Sequence, residues 1–248
     1  MNQSINVTGM ILSATPIGEY DKRIVILTKE KGKISAFAKG ARRQNSPLMG
    51  VTNPFCFGEF QLYEGRTSHN VMQAQISNYF MEFSSDFEGA YYGFYFMEIA
   101  DYYTKEYNDE KQMLKLLYQT LRALASGKIN RELVRYIYEL KTLVINGEAP
   151  EVFRCVNCGV GDRDMVFSSS NHGMICEECQ GIAPDGIVIG SSTLYTLQYI
   201  VSSTIEKLYT FTVSDEVLNE LRIIMKRYME SHVDKKFKSL EILEICLK

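Results

Sequence analysis

The sequence predicts an α+β protein, in which an N-terminal five-stranded barrel of the OB type is followed by an all-helical domain with an inserted four-cysteine knuckle. Three observations support this fold class. Short apolar runs with strand-like patterning fill the first eighty residues, helical spacing begins near Ser84, and two C-x2-C pairs interrupt the helical part. We therefore expect one domain at residues 1–80 and a second at 81–248, with the knuckle at 153–184.

Five short strands are predicted in the first eighty residues, separated by polar or glycine-containing turns. In the third strand Ile34, Ala36 and Ala38 share one face, so Phe37 and Lys39 share the other. The number and length of the strands suit an OB-type barrel, and an SH3-like barrel of similar size remains an alternative at this level. The predicted strands are 7–14, 23–28, 34–39, 55–63 and 71–76.

The predicted helices carry recognisable start and stop signals. Asp86 precedes a helix that runs to about Tyr107, Gly127 ends the next helix, Asn130 begins the third, and Ser214 caps a long helix near the end. Because helical spacing resumes at residue 194, we expect the knuckle to be an insertion within one helical domain. The first helix has an aromatic face that we expect to be buried in a core. Its residues are Phe87, Tyr91, Phe94 and Tyr95.

The strongest local signal is a set of four cysteines. Cys155 and Cys158 form one C-x2-C pair, Cys176 and Cys179 form another, and seventeen residues separate the pairs. Two turns at this spacing can close a tetrahedron of thiolates around one Zn²⁺. Four thiolates leave no coordination position for water or substrate, so we expect a structural zinc ion and not a catalytic one.

The charge of the chain is unevenly distributed. The whole chain carries a formal net charge of −3, but residues 1–80 contain nine Lys and Arg against five Asp and Glu. Residues 81–185 contain ten basic against seventeen acidic residues. An acidic protein with a basic first third is expected to meet a polyanion through that third.

The composition is that of an ordinary soluble globular protein. The first residues are polar and do not resemble a signal peptide, and no long apolar run suggests a membrane helix. Four of the six cysteines have metal-ligand spacing, which fits a reducing compartment. These features predict an intracellular, cytoplasmic protein.

We find no pattern that predicts catalysis. The chain has only three histidines, and it lacks phosphate-binding glycine loops, nucleophile elbows and H-E-x-x-H motifs. We therefore expect a protein that is not an enzyme, and a metal-dependent enzyme is the least favoured class.

The basic residues of the first third lie at the start of the second predicted strand, at the end of the third, and in the loop just after it. On a small barrel they can converge on one side and form a cationic groove for nucleic acid, with Phe37 or Tyr63 available to stack on bases. The alternative is a solvated surface of scattered charges. The candidate residues are Lys22, Arg23, Lys39, Arg42 and Arg43.

Several segments, taken together and in order, resemble the RecO family of DNA repair proteins. The N-terminal pattern comprises Glu19-Tyr20-Asp21-Lys22, Gly32-Lys33-Ile34 and Ala38-Lys39-Gly40-Ala41-Arg42-Arg43. The two cysteine pairs resemble the zinc knuckle of many members, and Phe237-Lys238-Ser239-Leu240 resembles a C-terminal element of the family.

This resemblance implies an OB fold, a helical domain and a four-cysteine zinc site. It also implies that the protein binds single- and double-stranded DNA, anneals complementary strands and works with RecR to load RecA onto strands coated by single-strand-binding protein. Lys39, Arg42 and Arg43 match the family's basic motif, and the helical domain is expected to take the tail of the single-strand-binding protein. A nucleoid-associated location follows from that role. The main alternative is a zinc-stapled module that holds protein partners and binds nucleic acid only incidentally.

Overall fold

The computed structural model describes residues 3–65, 68–161 and 163–246, and its N-terminal part is a closed five-stranded barrel. The strands are β1 (Gln3–Ile17), β2 (Asp21–Thr28), β3 (Gly32–Ala38), β4 (Phe57–Glu64) and β5 (His69–Asn78). They follow one another around the barrel in the order β1-β2-β3-β5-β4, and β4 pairs with β1 to close it. The β3–β5 pair is parallel and the other pairs are antiparallel. This Greek-key order confirms the predicted OB-type barrel.

Alternation along the strands builds the barrel core. Ile34, Ala36 and Ala38 of β3 are buried, as predicted, and they pack with Ile24 and Ile26 of β2. Because successive strand residues point to opposite faces, the residues between them form the outer wall. β1 is long enough to pair with both β2 and β4, and its register shifts between Ile11 and Ser13. The barrel therefore presents a continuous outer wall and two ends closed by loops.

A short 3-10 helix (Met81–Ser84) leads from the barrel into the helices. These are α1 (Phe87–Tyr103), α2 (Lys111–Ser126) and α3 (Arg131–Ile145) before the knuckle, and α4 (Ser191–Ser202), α5 (Asp215–His232) and α6 (Lys238–Cys246) after it. The predicted caps are confirmed at three N-termini: Asp86 accepts from the Gly89 N–H, Asn130 from the Glu132 N–H and Ser214 from the Val217 N–H. The three helices α1, α3 and α5 therefore begin where the sequence predicts.

The first helix ends four residues earlier than the sequence suggested. Thr104 adopts an extended conformation after Tyr103, and the following segment pairs with the start of β3. The Lys33 N–H donates to the Lys105 carbonyl at 3.1 Å, and the Tyr107 N–H donates to the Lys31 carbonyl at 3.0 Å. These hydrogen bonds to the barrel replace those that would have continued the helix.

The cysteine segment lies between α3 and α4, which confirms an insertion among helices. Its hairpin is β6 (Met165–Ser168) and β7 (Gly173–Cys176), followed by a 3-10 helix (Glu177–Ile182) and the short strand β8 (Ile187–Val188). β6 is the central strand of this three-stranded sheet. The hairpin coincides with the apolar runs on either side of residues 169–172.

The chain forms two compact units. One unit runs to Ala125 and resumes at Phe237, and the other is Ser126–Lys236. The first therefore contains the barrel, α1, most of α2, and α6, which packs on α1. The predicted division at residue 80 stays a prediction, and it marks the end of the barrel. Within the part of the chain that the structure describes, no helix has the length and apolar character needed to cross a membrane.

Polar side chains tie the helices of the second unit together. The buried Lys141 of α3 donates to the carbonyls of Ile200, Val201 and Ser203 at 2.6–3.2 Å and so binds the C-terminal end of α4. Arg222 of α5 forms an ion pair with Glu132 of α3 at 2.7 Å. These contacts hold α4 and α5 against α3 on either side of the inserted knuckle.

Candidate nucleic-acid interface and metal centre

The four predicted metal ligands come together in the second unit. The Sγ atoms of Cys155, Cys158, Cys176 and Cys179 all lie within 4.8 Å of one another, and those of Cys158 and Cys176 are 3.6 Å apart. A tetrahedron with metal–sulfur distances of 2.3 Å has edges of roughly 3.8 Å. The cluster therefore has the size and the donor set of a four-thiolate metal centre, and it leaves no ligand position for a substrate.

Hydrogen bonds from backbone and side-chain N–H groups orient the sulfur atoms. The Cys176 N–H points at the Cys155 Sγ at 3.4 Å, and the Asn157 side-chain amide donates to the Cys179 Sγ at 3.2 Å. Burial alone would raise the pKa of Cys155, but N–H groups of Cys176, Cys158 and Asn157 outweigh it and lower that pKa to about 6. Donors aimed at sulfur favour the thiolate, which is the form that binds metal.

The knuckle has a small core. Besides the cluster around its ligands it buries Phe167 and Met174, and the Phe167 ring packs against Tyr228 of α5 at a centroid distance of 5.8 Å. Its buried cluster consists of Cys155, Val166, Ile175, Cys176 and Ala183, so two of the five buried side chains are metal ligands. Apolar burial on this scale cannot offset the conformational entropy of about thirty ordered residues. The residues present therefore fit a metal ion that holds the fold together.

The carboxylate of Asp185 also stabilises the knuckle, through hydrogen bonds. Its Oδ1 accepts hydrogen bonds from the hydroxyls of Ser168 and Ser170 at 2.6 and 2.7 Å, and its Oδ2 accepts the Ser170 N–H at 3.0 Å. Burial would raise its pKa, but these hydrogen bonds hold the pKa of Asp185 at about 2. The carboxylate thereby ties the end of β6 to the segment before β8.

We expect Asp185→Asn to destabilise the knuckle at neutral pH by about 1–2 kcal/mol, because an amide cannot accept all three charge-assisted hydrogen bonds. Hydrogen exchange at the β6 and β8 amides measures this change. The matched control is Asp164→Asn, because Asp164 is an exposed aspartate of the same knuckle, directly before β6. Equal exchange rates in the Asp185→Asn and Asp164→Asn variants would contradict the stabilising role of the Asp185 carboxylate.

Two of the predicted nucleic-acid-binding residues fold onto the β1–β2 turn. The Arg42 N–H donates to the Tyr20 carbonyl at 2.8 Å, and its guanidinium Nη1 donates to the Gly18 carbonyl at 3.2 Å. The Arg43 guanidinium lies 5.0 Å from the centroid of the Tyr20 ring, a cation–π distance. The Asp21 carboxylate accepts the Gly40 N–H at 2.7 Å and holds the two turns together. Arg42 and Arg43 are thus fixed at one end of the barrel.

Lys22 belongs to the same end. Its ammonium donates to the Asn53 Oδ1 at 2.7 Å and to the Met49 carbonyl at 3.4 Å. Partial burial lowers the pKa of Lys22, and the charge of Arg42 lowers it further. Lys22, Arg42 and Arg43 together form what we call the basic end of the barrel.

Arg23 and Lys39 are placed differently. Arg23 follows Lys22 in β2 and therefore points to the outer wall, where its guanidinium donates to the Ser35 hydroxyl at 3.2 Å. Its Cα partner across the strand pair is Phe37. Lys39 is exposed in the turn directly after β3. The structure brings Lys22, Arg42 and Arg43 together, and it leaves Arg23 on the adjoining wall.

Availability separates these cations from Lys31 and Lys33, two other lysines of the barrel. Lys31 forms an ion pair with Glu64 at 2.8 Å, and Lys33 forms one with Asp101 at 3.1 Å. Among the described residues, none of the five candidate cations forms an ion pair, even though Glu19 and Asp21 lie in the same turn. Their charges therefore remain open to an external anion.

Tyr20 is the aromatic residue that sequence reasoning missed at this end. Its ring is 42% exposed and lies beneath the Arg43 guanidinium. Phe37 and Tyr63, the predicted stacking residues, are half-buried on the strands. The sequence signal for Tyr20 was its place in the Glu19-Tyr20-Asp21-Lys22 motif, which did not indicate a stacking role. The fold brings Tyr20 to Arg43 because the β1–β2 turn and the turn after β3 lie side by side.

Comparison with known proteins accounts for nearly the whole chain. The family model described as Recombination protein O N terminal matches residues 1–80, and the one described as Recombination protein O C terminal matches residues 84–241. The chain belongs to the RecO family. This confirms the resemblance found in the turn motifs and the cysteine pairs.

Individual RecO-family relatives extend over the same length. The DNA repair protein RecO of Alkaliphilus metalliredigens is 32% identical over 240 residues, which cover 96% of this chain and 98% of that protein. The DNA repair protein RecO of Acetivibrio thermocellus is 31% identical over 241 residues, covering 97% and 96%. That of Bacillus pumilus is 27% identical over 239 residues, covering 96% and 93%.

The RecO-family match over residues 84–241 also includes the C-terminal element at residues 237–240. Phe237 packs against the rings of Tyr95 and Tyr102 of α1, at centroid distances of 5.5 and 6.1 Å. The Ser239 hydroxyl donates to the Glu98 carboxylate at 3.1 Å. In this RecO-family chain the element at 237–240 therefore fastens α6 to α1.

Proposed function

We propose that the protein acts in DNA repair as a recombination mediator that binds single- and double-stranded DNA through the basic end of its barrel. The observation that carries this proposal is the set of cations at Lys22, Arg42 and Arg43, which have no ion-pair partner among the described residues, on a barrel of the OB type. Membership of the RecO family supports the biological role. Lys39, in the turn after β3, and Arg23, on the outer wall, extend the same surface.

Annealing of complementary strands follows from this surface without a catalytic group. Phosphates of two strands repel each other, and cations that neutralise both lower that repulsion. A groove that holds the backbone leaves the base edges free to pair. The protein therefore accelerates pairing by lowering an electrostatic barrier, and it does so without acting as an enzyme.

The remaining steps of mediation require protein partners. We propose that the chain works with RecR and loads RecA onto strands coated by single-strand-binding protein, whose tail docks on the helical part. This proposal rests on family membership. It implies a cytoplasmic, nucleoid-associated location.

The metal of the four-cysteine cluster is proposed to be one structural Zn²⁺. Four sulfur donors in a compact cluster suit zinc, and a closed four-thiolate shell is typical of structural sites. When bound, the ion would be held by Cys155, Cys158, Cys176 and Cys179 and would fix the hairpin between α3 and α4.

A salt titration of the intact chain tests the DNA-binding proposal. If five cations contact single-stranded DNA, log K should fall against log salt with a slope of roughly −3.5. Fluorescence anisotropy with a labelled oligonucleotide measures that slope, and a strand-annealing assay over the same salt range should slow in parallel. A slope near zero would remove the basic end from the proposal.

A second candidate function is a module that holds protein partners. The exposed apolar side chains of Phe153, Val156 and Ile182 around the cysteine cluster favour it. The segment from Cys155 to Asp185 carries one basic and five acidic residues, so phosphates are poor partners for the knuckle. In this case, removing the barrel cations would leave mediation unchanged.

A further inference from the structure

A small cleft opens in the first unit where the loop before β4 meets α1. Its volume is about 290 Å³, and its walls come from residues 50–56, from the segment that follows β5, and from α1. Mostly aromatic and small side chains line it, and none of the lining residues carries a formal charge. A cleft at the lower end of the small-ligand size range has room for a flat ring rather than for a helix.

Phe55, which lines the cleft, has an unusual backbone conformation. Phe55 has φ +72°, a left-handed conformation that a bulky residue adopts only at a cost of about 1–3 kcal/mol. This turn directs its ring against Phe83 and Phe94, at centroid distances of 5.1 and 4.9 Å. Gly93 makes room for the ring, because an added Cβ there would lie only 2.6 Å from it. Strain of this kind is typical of ligand sites.

The cleft adjoins the basic end of the barrel. Asn53 lines the cleft, and its side-chain oxygen accepts the hydrogen bond from the Lys22 ammonium at 2.7 Å. Cys56 lines the cleft too, and burial raises the pKa of its thiol although the nearby Lys22 ammonium lowers it. A phosphate held at Lys22 would therefore place the neighbouring nucleotide beside the mouth of the cleft.

Two aromatic rings remain open at this mouth. Tyr79 is 43% exposed and Phe94 is 37% exposed, although both line the cleft. The sequence had suggested that the aromatic face of α1 is core. That expectation is wrong for Phe87 and Phe94, which are exposed, and right for Tyr95, which is buried. Tyr92 and Phe96, on the other side of the helix, form the core instead.

We propose that this cleft binds nucleobases of single-stranded DNA whose phosphates lie on the basic end of the barrel. The inference rests on the proposed DNA binding and adds a site for the bases. Exposed rings stack on any base, and uncharged walls accept a base without repelling it. Bases in a duplex are already stacked and paired, so the cleft distinguishes single strands from double strands.

The test compares Tyr79→Ala and the double variant Tyr79→Ala/Phe94→Ala with the intact chain. We expect binding of single-stranded DNA to weaken about fivefold or more for each stacked base that is lost, with duplex binding unchanged. The salt slope should stay the same, because no phosphate contact is removed. An oligonucleotide that carries 2-aminopurine should lose the fluorescence quenching that stacking causes.

Two further variants make the result specific. Tyr79→Phe keeps the ring and should restore binding, and Tyr107→Ala removes a still more exposed tyrosine that does not line the cleft and should have no effect. Unchanged single-strand affinity in the double variant would overturn the base site and favour a protein ligand for the cleft. An equal loss with duplex DNA would overturn it as well. The proposed function would fail separately, through an unchanged salt slope when the barrel cations are removed.

Discussion

Replacing Lys39, Arg42 and Arg43 with alanine is expected to flatten the salt dependence of single-stranded DNA binding by about two units, from roughly −3.5 to roughly −1.4. Each phosphate contact releases counterions when it forms, so each lost contact removes about 0.7 from the slope. Affinity should fall most at low salt, where counterion release contributes most, and strand annealing should slow with it. Anisotropy titrations at several salt concentrations measure the slope.

The folded state should tolerate these substitutions. All three side chains are exposed, and replacing exposed side chains of this kind changes the free energy of unfolding by less than about 1 kcal/mol. Arg42 keeps its backbone hydrogen bond to Tyr20 in the variant, because that bond does not use the side chain. A loss of binding would therefore report on the surface and not on unfolding, which urea denaturation can verify.

A matched control separates position from total charge. Lys128, Lys207 and Lys226 are exposed cations of the second unit, and replacing all three with alanine changes the net charge by the same amount. We expect the slope of that variant to match the intact chain. If the control lowered the slope as much as the barrel variant, binding would depend on overall charge and not on the basic end.

Loss of the cysteine cluster is expected to have the largest effect on folding. Cys155→Ser with Cys176→Ser removes both buried ligands and leaves Val166, Ile175 and Ala183 as the buried residues of the cluster. Structural zinc contributes on the order of 10–16 kcal/mol to the folding of small zinc-binding peptides, so residues 153–184 should lose their ordered hairpin. Hydrogen exchange across β6 and β7 should rise towards the unfolded rate, and the zinc content should fall from one per chain to zero.

The consequences should stay within the second unit. We expect DNA binding at the barrel and the stability of the barrel strands to be unchanged, because the cluster lies in the unit Ser126–Lys236. Cys56→Ala serves as the matched control, since Cys56 is a buried cysteine of the barrel outside the cluster, and it should keep one zinc per chain. Protection of β6 and β7 that survived metal removal would show that the knuckle folds without an ion.

Local chemistry made much of the fold readable from the sequence. Alternation in β3 identified its buried face because a strand has only two faces, and one of them must be apolar if the barrel has a core. Asp86, Asn130 and Ser214 marked helix starts because only a few side chains can satisfy the free N–H groups there. The cysteine spacing identified the metal ligands because short turns dictate where the sulfur atoms lie.

The site depended on contacts between segments that are distant in the sequence. Helical periodicity placed Phe94 and Tyr95 on one aromatic face, but only packing decided that Tyr95 is buried and that Phe94 lines a cleft. The left-handed conformation of Phe55 has no sequence signal of its own, because a phenylalanine rarely adopts it.

The sequence by itself determined the barrel, the helical starts, the four ligands and the family, since each of these follows from residues close together or from the order of motifs along the chain. The tertiary structure alone decided which cations are available. Lys31 and Lys33 are neutralised by Glu64 and Asp101, residues 33 and 68 positions away, whereas the guanidinium groups of Arg42 and Arg43 contact uncharged groups of the β1–β2 turn. Charge pairing depends on distances in space, and those distances are fixed only when the barrel closes and brings its turns together.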